Sequence, residues 1–120
     1  MSPPVAGPQV WTAVCRCRDL RTGRGAAALV NGQAVALFRM GDDVYALGNH
    51  DPFARLRDPG VLARGIVGRR GDVPFVGSPV HGHAFDLRDG RCLDDPSVRV
   101  PTYRVRVVEG VVHVGPRVTG

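Results

Sequence analysis

The strongest constraint on this chain is its punctuation: short apolar and β-branched runs are cut by turn dipeptides before any helical period can establish itself. Asn31-Gly32, the pair that best favours a tight type I′ turn, separates a run at 26–30 from Gln33–Met40. A Gly41-Asp42 turn follows, and then a short run at 43–47. Near the other end, Glu109-Gly110 separates Thr102–Val108 from a run at 111–114. Closing that two-residue turn sets Val107 against Val112 and Val105 against Val114 on one face, with Arg106 against His113 on the other. The valine face is expected in the core and the Arg-His face in solvent. Further strands are expected at 9–17, at Ile66-Val67, over Val73–Gly77, and in Phe85-Asp86-Leu87 and Arg91-Cys92-Leu93 on either side of Arg88-Asp89-Gly90. Only 52–64 offers helical spacing, through Phe53, Leu56 and Leu62, and Pro59-Gly60 interrupts it. A chain cut this way is all-β, a sandwich or small barrel.

Its 120 residues are enough for one domain. No run reaches the roughly eighteen apolar residues that a membrane span needs. The first ten residues have neither a basic leader nor an apolar stretch, so a cytoplasmic protein is expected. Net charge is +5, and all 16 basic residues are arginine. They are scattered from Arg16 to Arg117 with only Arg69-Arg70 adjacent, which is not the basic, aromatic-interleaved stripe of a nucleic-acid binder. Cys15, Cys17 and Cys92 form no disulfide framework or zinc spacing. Two apart in a strand, Cys15 and Cys17 share a face, as buried thiols or as a redox or metal pair. There is no dinucleotide-binding glycine fingerprint. Residues 1–8 and 116–120 are rich in Pro, Gly and small residues and are expected to be loose.

Two stretches carry a more specific signal. They are Ala46-Leu47-Gly48-Asn49-His50-Asp51-Pro52-Phe53 and Ser78-Pro79-Val80-His81-Gly82-His83-Ala84-Phe85-Asp86-Leu87-Arg88-Asp89-Gly90. They resemble the two loops of a Rieske domain, whose pattern runs Cys-Pro-His in the first and Cys-Pro-x-His-Gly, then Phe-Asp and a Gly turn, in the second. In that alignment Asp51 and Phe53 stand at the first loop's ligand positions, and Ser78 and His81 at the second's. One ligand of four survives. A Rieske centre needs two thiolates on one iron and two imidazoles on the other, so no cluster or other cofactor is expected in this chain.

The likeness extends to Trp11 through Leu20, Ala34-Val35-Ala36-Leu37-Phe38-Arg39, Val44-Tyr45-Ala46-Leu47, Gly65-Ile66-Val67-Gly68 and Cys92-Leu93-Asp94-Asp95-Pro96. Over roughly residues 10–115 the chain resembles the small subunit of assimilatory NAD(P)H-dependent nitrite reductase, a Rieske-like branch that typically lacks the cluster ligands. The resemblance implies a β-sandwich or partial barrel over 9–115, with an inserted vestigial cluster-binding subdomain over 48–93. It also implies a large partner subunit carrying FAD, an iron–sulfur cluster and sirohaem, which passes electrons from NAD(P)H to nitrite and forms ammonium. The small chain would then be non-catalytic and would dock on that subunit. The alternative is a Rieske-type, ferredoxin-like electron carrier or a mononuclear metal protein serving another oxidoreductase.

Each singled-out residue has a plain reading beside the sharper one. Asp51 and His81, with His50 and His83 near them in sequence, could hold one Zn²⁺ or Fe²⁺. The plain expectation is that Asp51 and His81 hydrogen-bond and replace the cross-link of a cluster. Phe53, like Phe85, is expected to fill vacated space, or else Phe53 anchors a partner. Arg55, Arg57, Arg64, Arg69 and Arg70 are either a solvated face or the complement of an acidic partner surface.

Overall fold

The computed structural model describes residues 10–54, 61–79 and 82–118. Among the described residues nine strands form in chain order: β1 (Thr12–Arg16), β2 (Gly25–Val30), β3 (Gln33–Met40), β4 (Asp43–Gly48), β5 (Ile66–Arg70), β6 (Val73–Gly77), β7 (Ala84–Asp86), β8 (Thr102–Val108) and β9 (Val111–Val118). Six of them make one antiparallel sheet in the order β1-β9-β8-β4-β3-β2. Its end strands β1 and β2 curl back into contact, giving a partial barrel. The other three, β5-β6-β7, form a separate sheet inserted in the chain between β4 and β8.

Both two-residue hairpins have the backbone their sequence demands. Asn31 and Gly32 take φ +48° and +80°, and Glu109 and Gly110 take +50° and +78°. Positive φ at both central positions defines the type I′ turn. The register follows, with Val107 opposite Val112, Val105 opposite Val114 and Arg106 opposite His113. Val112 and Val114 are buried, whereas Val107 is 43% exposed. The physical reason is coverage: β4 pairs β8 only at Thr102 and Tyr103, so the hairpin tip runs past its neighbour.

Alternation along β3 sorts its side chains into two cores. Val35 and Leu37 join Leu20, Val30, Ala46, Val112 and Val114 in one. Ala36 and Phe38 join Leu47, Leu62, Val76, Phe85, Leu87, Cys92 and Val100 in the other. The second core cements the inserted sheet to the barrel and so fixes the loops described below.

Further expectations change: Arg91-Cys92-Leu93 forms no strand, because only Cys92 and Arg91 find partners, in isolated bridges to Phe85 and Arg99. Strand β9 continues to Val118, paired with Thr102 and Tyr103, where a loose end was expected from residue 116. Gly115-Pro116 reads as a breaker, but it falls where the β8–β9 register shifts, so the missing proline N–H interrupts no regular ladder. Cys17 lies outside β1, in a 3-10 turn (Cys17–Asp19), and a register shift between Ala13 and Cys15 disturbs the strand alternation. The helical spacing at 52–64 yields only a 3-10 turn at Leu62–Arg64 among the described residues. Residues 1–8 and 55–60 lie outside the described residues.

Candidate functional site

The first loop leaves β4 at Gly48 and is pinned by backbone and amide bonds. Gly48 N–H donates to Pro101 O (2.8 Å), and Asn49 N–H to Ala34 O (3.1 Å). Buried Asn49 then accepts twice: its backbone oxygen from Leu62 N–H (2.8 Å) and its Oδ1 from Ala63 N–H (2.8 Å). Asn49 was not singled out in the sequence. The signal available was a short amide placed directly after an apolar strand, where its side chain can substitute for backbone partners.

The second loop joins β6 to β7. Ser78 N–H donates to His83 O (2.8 Å) and Gly82 N–H to Ser78 O (3.0 Å), with Gly82 at φ +73°. Downstream, Asp94 Oδ2 accepts from Ala84 N–H at 2.8 Å and ties the loop's exit to the following segment. Asp95 lies in the same segment. The hydroxyl and amide of Ser97 hold its carboxyl below the ordinary value, and His83 adds a smaller pull in that direction.

Two contacts close one loop on the other. Asp51 is fully buried. Its Oδ1 accepts from Phe53 N–H (2.8 Å), and its Oδ2 accepts from the buried Ser78 hydroxyl. Beside this polar pair the Phe53 ring stacks on His83, with centroids 3.8 Å apart and planes 10° from parallel. Phe85, in the core below, lies 6.3 Å from Phe53 in a tilted arrangement. The half-buried Phe53 packs against the second core.

The sequence reading paired Asp51 with His81; the structure joins Asp51 to Ser78. His81 lies outside the described residues, as do Arg55 and Arg57. His50 is exposed, in an isolated bridge to Val61. Arg64 sits in the 3-10 turn before β5, while Arg69 and Arg70 end that strand. A five-residue strand spans roughly 17 Å, so these arginines form no single cluster.

The donor set at these positions does not fit a two-iron centre. Ser78 and Phe53 N–H occupy the Asp51 carboxylate, and a stacked benzene ring stands at a third position. Among the described residues no group of three or more His, Cys, Asp or Glu could hold a metal ion. Burial, then Asp19 and Cys17, push the Cys15 thiol up, away from the thiolate that redox and metal chemistry need.

Other polar groups hold the frame. Arg39, also missed in the sequence, donates from Nη1 to Cys17 O (3.1 Å) and Leu20 O (3.3 Å), tying the first turn to β3. Arg88 grips the buried Asp86 through Nη2 (2.8 Å) and Nε (3.0 Å). Burial pushes the Asp86 carboxyl up, but the Arg88 hydrogen bonds, with the charges of Arg88 and Arg91, outweigh it and hold the carboxyl below its ordinary value.

A partial barrel with a three-stranded insert, whose two loops meet where two irons would sit, defines a Rieske-type domain. Residues 10–115 match the Rieske-like [2Fe-2S] domain family. A crystal structure assigned as an NADH-dependent nitrite reductase small subunit from Mycobacterium tuberculosis superposes with a TM-score of 0.82 at 47% identity, covering 93% of this chain and 97% of that one. The nitrite reductase (NADH) small subunit of Salmonella typhimurium is 37% identical over 87% of this chain and 95% of its own length. The nitrite reductase [NAD(P)H] large subunit of Klebsiella oxytoca is 37% identical over 93% of this chain but only 11% of its own length. The chain therefore belongs to the Rieske-like family and, within it, to the small-subunit branch of NADH nitrite reductase.

Proposed function

We propose that this chain is the small accessory subunit of NAD(P)H-dependent nitrite reductase, and that it works without a [2Fe-2S] cluster of its own. It docks on a large cytoplasmic subunit whose FAD, iron–sulfur cluster and sirohaem carry electrons from NAD(P)H to nitrite, forming ammonium for nitrate assimilation. The observation that carries the reading is the closure of the two loops by Asp51–Ser78 and Phe53–His83. Side chains do there the joining that iron and sulfide do in a Rieske centre. The isolated chain is non-catalytic in this reading, and its residues hold a rigid surface against the partner.

Two further observations support it. The Klebsiella oxytoca large subunit contains a stretch similar to this chain, so there the domain and the large subunit share one polypeptide. No helix among the described residues is long and apolar enough to cross a membrane. In this reading the chain is one domain over 9–115 with a vestigial cluster-binding subdomain over 48–93, and the sheet β5-β6-β7 inserted between β4 and β8 supports it.

The test is co-expression with the large reductase subunit, then co-purification and nitrite-dependent NAD(P)H oxidation with and without this chain. The expected result is a stable complex whose turnover or assembly falls when the chain is withheld. No complex and unchanged turnover would overturn the assignment.

A further inference from the structure

Two strands without a second ladder partner among the described residues border one groove on this molecule. Strand β2 pairs only with β3, and β5 only with β6. Between them lies an open groove of about 670 Å³, lined by Gly25 and Ala26 from β2 and by Ile66 and Val67 from β5. Its floor is tight. A Cβ on Gly25 would come within 2.4 Å of Ala63 O, and one on Gly65 within 2.3 Å of Gly77 O. Strand β2 of the barrel thus lies close against the 3-10 turn that leads into β5, and that turn against β6.

Arg21, Arg24 and Arg64 line it, with Asp19 as its one acidic residue. Other arginines of this chain have work to do in the fold: Arg39 binds two carbonyls, Arg88 binds Asp86, and Arg70 pairs with Asp94 at 3.7 Å. The side chains of Arg21, Arg24 and Arg64 have no hydrogen-bond or ion-pair partner among the described residues. On the same wall Ile66 is 78% exposed, the most exposed large apolar residue of the described chain.

We propose that this groove is a docking site for an extended acidic segment of the large reductase subunit. The segment adds a strand to the unpaired edge of β5, meets the three guanidinium groups with its carboxylates, and covers Ile66 with an apolar side chain. This rests on the docking reading above and goes beyond it by naming the face and the chemistry of the partner segment. A small anion alone is disfavoured, because all three arginines are exposed and an apolar residue stands beside them.

The experiment measures affinity of the full chain for the purified large subunit. It compares wild type with Arg24→Glu/Arg64→Glu, with Ile66→Asp, and with Arg104→Glu/Arg117→Glu, which reverses two exposed charges away from the groove. Thermal melts confirm that each variant is folded. The groove variants are expected to weaken binding by about tenfold or more, with the wild-type affinity falling as salt rises, while the Arg104/Arg117 variant binds as wild type. Wild-type affinity in the groove variants overturns the groove while leaving the docking reading intact. No binding by the wild type overturns the docking reading and the groove with it. Selective displacement by inorganic phosphate at constant ionic strength would mark a small-anion site and overturn the peptide proposal.

Discussion

Ser78→Ala removes the hydroxyl that closes the two loops and leaves one oxygen of a fully buried carboxylate without its donor. Phe53 N–H still serves Oδ1, so at Asp51 the loss is one hydrogen bond. Leaving a buried acceptor without its donor costs about 1–3 kcal/mol. The alanine methyl fits the space of the serine, so cavity formation adds little. We expect a loss of about 2 kcal/mol in urea unfolding with an unchanged m-value. For a chain of this length that is a fall of roughly 8 °C in Tm. Asp51→Ala also strips the partner of Phe53 N–H and is expected to cost more. In the double variant Asp51→Ala/Ser78→Ala the shared bond is lost once, so the cycle should show a coupling of about 1–3 kcal/mol. If Ser78→Ala costs under about 0.5 kcal/mol, or the two changes add within about 0.5 kcal/mol, the Asp51–Ser78 bond does not hold the loops together.

Three more predictions follow from the same geometry. His83→Ala removes the ring stacked on Phe53 and should cost about 0.5–1.5 kcal/mol beyond its lost buried area, read by denaturant unfolding. Gly90→Ala is expected to abolish or severely impair folding, seen as loss of the cooperative melt, because Gly90 has φ +79° and an added Cβ would lie 2.2 Å from Val100 O. Asp86 has a lowered folded pKa, so its contribution to stability is present above the ordinary carboxylate value of 3.8 and is lost as pH falls through the folded value. Melts of Arg88→Gln and wild type should therefore differ between pH 5 and 7, and the gap should shrink as acid protonates Asp86; a gap that is constant down to about pH 2 would contradict this.

The parts of this fold legible in the sequence are those encoded by local chemistry. Asn31-Gly32 and Glu109-Gly110 fix their turns through positive φ, and each turn fixes the register of its hairpin. The two loops were legible in another way, through the resemblance of the motifs around Asp51, Phe53 and Ser78 to those of a Rieske domain. What replaces the ligands was less so. Asp51 finds Ser78, 27 residues away, because the core through Leu47, Val76 and Phe85 sets the loops in register, and no local pattern reports that distance. Phe53 and His83 meet for the same reason. The shift at Ala13/Cys15 and the continuation of β9 past Pro116 also depend on where neighbouring strands stop, which is a tertiary property.

The central claim is that side chains close this cassette and no cluster does. The most direct test is iron and acid-labile sulfide analysis, with a visible absorption spectrum, of the chain purified anaerobically without chelator. The account predicts a colourless protein with no stoichiometric iron or sulfide. A brown protein with two irons and two sulfides per chain would contradict it.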